Sequence, residues 1–499
     1  MLKTQHWTQH SLYQKNLISS LKKFLPSYRD KIEEYSKLID KLFYLNLDSA
    51  YHVLSPYYSN TGRPAKYQAE ILRSLIAMVH LKIYSITRWV EKLKKDRILA
   101  IICGFDPDDV PGVGTFYDFL NRFWLSNNEP SKIMAPHKKP KKPSNQAEKL
   151  PPKHPNVVKD IVDRIINGRE VSLGPQRIIS LLFSEVAVKP SIKMGLIEPN
   201  AKLTSDGAPI ESPSNPYGKR TCDCSKKGVR RCGCKRRFSD PSARWGWDSY
   251  HKRYFFGYTL YTISTNNGRY DLPLHFMLPQ ANRHDSVSAV VALSQLKTIY
   301  PQYPFSYFIA DSAHDNIATY RLCKFYGLAP IIDLNPKNTK KERLTNIDTY
   351  GRPICPLGLP MVNWGYNKDR CRIKWRCPIY ASKKKRRKLG ECPIKNECSN
   401  SSYGRVVYTY LDDNLRLFSN PPRGSERWKS IYSKNRSSVE RCMKRILIDY
   451  ELEKARVFSR KQWVWRIALI CINIHLDAWR DYARPNIVGH LTSWAEEAA

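Results

Sequence analysis

Between residues 202 and 334 the chain alternates strand-length apolar runs with helical stretches, in an order that admits few folds. Lys202–Ile210, Tyr254–Ser264 (YFFGYTLYTIS) and Leu272–Leu278 (LPLHFML) have the β-branched and aromatic content of strands. Asp285–Tyr300 reads as a helix, Tyr307–Asp311 (YFIAD) as a strand, Asn316–Tyr326 as a helix and Ala329–Leu334 (APIIDL) as a strand. A long insertion follows, then a helix from about Ser437. Such an order predicts a mixed α/β sheet flanked by helices.

This is the ribonuclease-H-like arrangement, and it is expected for the ordered core. Around it the chain divides into segments. Residues 1–128 read as an all-helical domain: Ile71, Leu72, Leu75, Ile76 and Val79 repeat at helical spacing, followed by Ile86, Trp89, Val90 and Leu93, with a junction near Tyr84-Ser85. A further helix with a capping box at Thr115 and Asp118 is expected in GVGTFYDFLNRFW. Three short helices in a basic surround fit a helix-turn-helix DNA reader and fit an ordinary bundle as well. Residues 129–156 are rich in Lys and Pro and predict an extended, mobile linker. Residues 157–334 form the first part of the core and include a basic, Cys-rich loop at 219–240. Residues 335–430 are the Cys-rich insertion, and 431–499 are the closing helical part.

Lysine and arginine outnumber aspartate and glutamate by 83 to 45, a formal charge of +38 with a pI near 9.7. Self-repulsion on that scale calls for a polyanion, so DNA or RNA is the expected partner. Ribosomal proteins are also basic, but rarely this long or this rich in Trp and Tyr. No apolar stretch follows the opening MLKTQHWTQH, and the longest apolar run, Ile467–Ile474, is too short to span a bilayer. A cytoplasmic, nucleoid-associated protein with no membrane partner is expected. Thirteen cysteines in a reducing compartment are thiols or metal ligands rather than a disulfide framework.

Cutting or transferring a phosphodiester with divalent metals needs carboxylates converging at one point, because hard cations prefer oxygen ligands. Asp206 at the end of the first strand, Asp311 at the end of the fourth and Glu440 in the first turn of the closing helix are placed to converge. Each also has a structural account. Asp206 precedes Gly207 and suits a turn, Asp311 could cap the next helix, and Ser437 with Glu440 has capping-box spacing. His284-Asp285 and His314-Asp315 are secondary candidates, with Asp285 equally suited to a helix N-terminus.

Several ordered blocks resemble bacterial insertion-sequence transposases with a DDE catalytic domain. GRPAKYQAEILRSLIAM and GVGTFYDFLNRF resemble their helical N-terminal domain. LTSDGAPIESPSNPYGKR resembles the block with the first aspartate, SDPSARWGWDSYHKRYFFGYTLY the block that follows, FIADSAHDN the block with the second aspartate, and YSKNRSSVERCMKR the tyrosine–arginine–glutamate block. The resemblance implies that Asp206, Asp311 and Glu440 are the catalytic, metal-holding triad for Mg2+ or Mn2+, with two ions. It implies supporting or DNA-binding roles for Arg436, Tyr432, Lys444 and Arg63. It also implies DNA cleavage and strand transfer at element terminal repeats by a homodimer or larger synaptic complex. Leu447 stands where the family often has lysine, with Lys444 and Arg445 nearby, and Tyr432 is one residue further from Arg436 than is common. The rival expectations are a repurposed, inactive DNA-binding protein and a metal-dependent DNA nuclease that does not join.

Cys222, Cys224, Cys232 and Cys234 form a C-x-C-x7-C-x-C array in TCDCSKKGVRRCGCKRR. Four soft ligands suit tetrahedral zinc; the other reading is a flexible basic loop with incidental thiols. In the insertion, CRIKWRC and CPIKNEC place Cys371, Cys377, Cys392 and Cys398 as a second zinc candidate beside Cys355, next to the run Lys383–Lys388, for which DNA contact is expected. Cys103, Cys323, Cys442 and Cys471 lie in apolar surroundings and are expected in the core.

Overall fold

Helical periodicity in the N-terminal segment yields α1 (His10–Glu34), α2 (Ser36–Tyr44), α3 (Asp48–Leu54), α4 (Gln68–His80), α5 (Ile86–Lys95), α6 (Arg97–Cys103) and α7 (Val113–Arg122). The computed structural model describes residues 7–126, 130–141, 154–336, 346–381 and 390–497. α4 is buried from Gln68 to Val79, and Ser85 starts α5 by accepting a hydrogen bond from the Arg88 amide. The capping box expected at Thr115 does not form. Extended Gly112 lets α7 begin upstream, which leaves Thr115 exposed inside the first turn.

The strands that follow are β1 (Ile133–Met134), β2 (Ala201–Glu211), β3 (Lys219–Arg220), β4 (Arg236–Arg237), β5 (Arg244–Asp248), β6 (Arg253–Asn266), β7 (Asp271–Met277), β8 (Phe305–Ala310) and β9 (Ala329–Ile332). Between them lie α8 (Val157–Ile166), α9 (Arg177–Phe183), α10 (Lys189–Lys193), α11 (Asp285–Ile299) and α12 (Ile317–Phe325). The main sheet has the order β5-β6-β2-β8-β9, with β7 also on β6. β6 runs antiparallel to β2, β5 and β7, whereas β2, β8 and β9 are parallel. This is the mixed ribonuclease-H-like sheet expected from the element order. β5 is an addition to that expectation, a short edge strand whose RWGWD sequence offers only two alternating apolar residues, Trp245 and Trp247, around a glycine.

Residues 130–141, expected as free tether, are extended and docked. β1 pairs with β4, which pairs with β3. The His137 ring lies 4.5 Å from Phe238, the Lys139 ammonium sits 4.5 Å over Trp245, and the Tyr254 hydroxyl donates to Pro140 O at 3.0 Å. A Lys/Pro-rich composition favours extended chain, and extended chain is what a strand edge and a row of rings can hold. The rest of the linker at 142–153 and the run Lys383–Lys388 lie outside the described residues.

Within the insertion, β10 (Val362–Asn367), β11 (Arg372–Arg376) and β12 (Val406–Tyr410) form a small antiparallel sheet over Cys355, Met361, Ile373 and Trp375, with α13 (Lys395–Cys398) beside it. The chain then forms α14 (Glu426–Lys444), α15 (Arg460–Ala483) and α16 (Ile487–Glu497).

α15 contains the apolar run Ile467–Ile474 and is buried from Trp463 to Leu476. A helix apolar on every side needs neighbours all round, and α15 finds them at both ends of the sequence. Its Asn473 donates to Ile76 O at 3.0 Å, Trp465 to Leu120 O at 3.0 Å and His475 to Pro273 O at 2.8 Å. Buried Lys41 pairs with Asp477. One apolar cluster therefore runs from Tyr13 through the sheet to Leu491. Among the described residues no helix is long and apolar enough to cross a membrane.

Burial also sets a pH dependence. It lowers His275 and His475 to about 4, and it lowers His80, which faces Lys41, to about 3. These folded values lie below the ordinary 6.5, so the stabilisation is complete above about pH 6.5 and drains as pH falls toward 4. His475 contributes about 3 kcal/mol of that loss. Denaturant midpoints should fall over this window, and His475→Gln should flatten the fall; an unchanged slope would remove His475 from the account.

Candidate active site

Parallel pairing of β2 with β8 fixes the level of the two aspartates. Thr204 pairs with Ile309, so Asp206 and Asp311 each stand two residues beyond the same rung. Asp206 is not at the strand end as expected: β2 outruns β8 and stays paired to β6 as far as Glu211. That removes the turn account of Asp206. Asp311 follows β8 and does cap the next turn, accepting from the Ala313 amide at 3.0 Å.

The helix carrying Glu440 begins eleven residues earlier than predicted. Ser425 is its N-cap, accepting from the Trp428 amide at 3.2 Å, and Glu440 lies about four turns in. The capping-box account of Ser437 and Glu440 therefore does not hold. The early part of α14 is hidden in the sequence because Asn435 interrupts its buried stripe, as Ser438 does one turn further on. Both are satisfied, Asn435 by Ile431 O at 2.7 Å and Ser438 by Thr204 Oγ1 at 3.0 Å. The second of these bonds pins α14 across β2. Arg441 adds a two-toothed contact to Asp271 on β7, at 2.6 and 2.9 Å.

Arg436 is the hub. Its Nη2 lies 2.9 Å from Asp206 Oδ2 and 3.9 Å from Asp311 Oδ2, and its Nη1 lies 3.3 Å from Glu440 Oε1. The other oxygen of each aspartate is already committed. Asp206 Oδ1 accepts from the Gly207 amide at 2.8 Å, and Asp311 Oδ1 lies 2.6 Å from His314 Nδ1. His314 is fully buried and is itself held by the Tyr261 hydroxyl, 2.9 Å from Nε2. Burial alone would raise Asp311, but the His314 bond and charge and then Arg436 outweigh it and hold Asp311 below the usual carboxylate value. For Arg436 burial works the other way, and Asp206, Asp311 and Glu440 together raise it above its ordinary value.

Asp285, ranked behind the triad from sequence, stands at the same edge. At the start of α11 its Oδ1 would lie 2.7 Å from a β-carbon added at Gly207, so the glycine beside Asp206 is what admits it. Burial raises its carboxyl; His314 and His284 oppose that, and Asp206 and Asp311 add to it. Only tertiary structure reveals this neighbour, because the sequence does not say where a helix start points.

Three carboxylates around one guanidinium, with Asp285 at the same edge, leave negative charge uncompensated, and their oxygens are hard donors of the kind Mg2+ and Mn2+ take. Their donor chemistry suits a divalent ion, but in this structure the oxygens stand around Arg436 and are not drawn to within 4.8 Å of one another as the sulfurs of Cys222, Cys224, Cys232 and Cys234 are. Arg436→Gln should accordingly cost the metal-free protein about 2 kcal/mol, discounted for the 61% exposed Glu440. Mg2+ should then raise the melting temperature of the variant more than that of the parent; equal Mg2+ responses would count against the hub.

The other expected residues are more dispersed. Tyr432 stacks on Trp428 at 5.2 Å, one turn from Arg436, and burial raises its hydroxyl. Lys444 is exposed and pairs with Asp449 at 3.1 Å, and Arg63 is exposed ahead of α4. Cys222, Cys224, Cys232 and Cys234 come together, their ligand atoms within 4.8 Å of one another, the one group of three or more possible metal ligands so gathered among the described residues. Cys371, Cys377, Cys392 and Cys398 do not. Cys371 and Cys377 flank the whole of β11, about 20 Å apart by strand rise, and the insertion is held by its apolar core instead. Cys103, Cys323, Cys442 and Cys471 are buried as expected.

The family described as "Transposase DDE domain" matches residues 217–474, just over half of the chain. The chain belongs to the DDE transposase family. A second family, described as a transposase domain, matches residues 19–122 of this transposase. Asp311 and Glu440 fall inside the first match, and Asp206 precedes it. No curated protein matches the transposase. A solved piggyBac transposase synaptic complex with hairpin DNA is similar at 11% identity and a TM-score of 0.32, over 92% of this chain and 76% of that one.

Proposed function

We propose that this DNA transposase cuts and rejoins DNA at the ends of its element, with Asp206, Asp311 and Glu440 holding Mg2+ or Mn2+. The observation that carries the reading is Arg436, one cation met by all three carboxylates, with one oxygen of each aspartate turned inward. When bound, one or two such ions offset charge on the attacking and leaving oxygens of a phosphodiester. The chain itself supplies the positioning. His314 and the Ala313 amide fix the Asp311 carboxylate, the Gly207 amide fixes that of Asp206, and Ser438 and Arg441 hold α14 so that Glu440 faces the strand ends. Arg436 orients Glu440 and supplies a cation for a DNA phosphate, with Tyr432 and Lys444 supporting it on the same helix.

In this reading residues 1–128 recognise element ends through the exposed faces of α5 and α7 and through Arg63. Residues 157–334 with 431–499 perform the chemistry, and the insertion at 335–430 lies between them in sequence, tied to the first by Arg416 on Asp315. The 219–240 loop and the docked linker contribute phosphate contacts, each of which adds to a salt-dependent affinity. Two ends must be held at once, so a homodimer or larger synaptic assembly is implied, acting in the cytoplasm at the nucleoid.

A cell-free reaction with Mg2+ and labelled element ends tests this. Joined products are expected. Cuts without joining would mean a nuclease, and binding without cleavage in either Mg2+ or Mn2+ would sink both enzymatic readings in favour of a repurposed DNA-binding protein.

A further inference from the structure

The loop from Thr221 to Lys235 has no apolar core to hold it. Its one sizeable hydrophobe, Val229, is 46% exposed. The loop nevertheless doubles back, closed by Gly228 at φ +75° and by the Val229 amide donating to Cys224 O at 2.9 Å. This fold brings the sulfurs together: Cys222 Sγ lies 3.7 Å from Cys232 Sγ, and Cys224 Sγ lies 3.6 Å from Cys234 Sγ.

Those spacings decide between two chemistries. Disulfide sulfurs would be about 2.05 Å apart. Four thiolates each about 2.3 Å from a zinc ion stand about 3.8 Å apart along the edges of a tetrahedron. The observed pairs match the second figure. The tight C-x-C spacing is no obstacle, because Cys222 and Cys224 lie on a bend entering the turn and Cys232 and Cys234 on the returning segment, and both pairs bring their sulfurs into one cluster.

We propose that Cys222, Cys224, Cys232 and Cys234 form a structural zinc site that staples this loop. A tetrathiolate zinc centre carries net negative charge, and the exposed cations Lys226, Lys227, Arg230 and Arg231 surround it with the opposite sign, which favours the thiolate form. The ion takes the place of the missing core, as in other small segments too polar to fold alone. It also holds those exposed cations in the loop that leads into β4, the strand paired with β1.

Full-length protein purified under reducing conditions should carry about one zinc ion per chain by elemental analysis. The double variant Cys222→Ser/Cys234→Ser should carry none, and Cys371→Ser/Cys398→Ser should keep it. Cobalt exchanged into the parent should give the intense thiolate charge-transfer and ligand-field bands of a tetrahedral site. If the double variant fails to fold, alkylation of the parent mapped by mass spectrometry decides, since zinc should shield these four cysteines and a chelator should expose them. A parent that takes up no zinc, a double variant that retains it, or alkylation of the four indifferent to zinc would each overturn the proposal. None of these readouts depends on DNA cleavage, so the test stands apart from the reading of the active site.

Discussion

Asp206→Asn, Asp311→Asn and Glu440→Gln are each expected to abolish cleavage and joining, on the order of a thousandfold or more, while binding to element ends stays within a few-fold. The replacements keep the shape of the side chain and remove the charge a divalent ion needs. None of the three acids is deeply buried, at 23, 38 and 61% side-chain exposure, so the fold should tolerate the change. Asp206 gives the sharper test, because it lies outside the stretch matched to the DDE domain and rests on the resemblance of its own block and on geometry. Strand transfer retained by any one variant would remove that residue from the triad.

The second large effect is expected away from the chemistry. Arg416 of the insertion reaches Asp315, four residues beyond Asp311, with three nitrogen–oxygen contacts of 2.7 to 3.0 Å, both side chains almost fully buried at 3 and 0% exposure. Arg423 adds bonds to Ile332 O and the Tyr320 hydroxyl. Arg416→Ala leaves a buried carboxylate without its forked partner, a loss of about 3–5 kcal/mol. The expected result is a lower denaturant midpoint and faster protease cutting within 335–430. Arg416→Lys should recover little, because a point charge cannot replace the fork. Removing both charges, as in Asp315→Asn/Arg416→Met, should restore much of the loss. A midpoint unchanged in Arg416→Ala would refute the anchoring role.

Five of the six strands of the main sheet were legible in the sequence to within a few residues, because β-branched and aromatic runs such as YFFGYTLYTIS have few other uses. Their order was enough to place Asp206 beside Asp311. The start of α14 was not legible, since Asn435 and Ser438 occupy its buried stripe and find partners only through β2 and the helix's own backbone. The docked linker was hidden for a different reason. Lysine and proline signal solvation, and nothing local reveals that the His137 ring and the Lys139 stem have aromatic rings to lie against. The cysteines divide on the same principle. A C-x-C pair can aim two sulfurs at one point, whereas C-x5-C across β11 separates them by the length of a strand.

The place of α15 bears on when this enzyme can exist. It is made after both the N-terminal helices and the sheet, and both lean on it, through Ile76 and Leu120 on one side and Pro273 on the other. Until residues 460–483 are synthesised, those apolar faces have nothing to cover them, and a prematurely terminated chain is material for chaperones and proteases. The sheet that carries Asp206 and Asp311 thereby stays uncovered on that side until the chain has been made as far as Ala483.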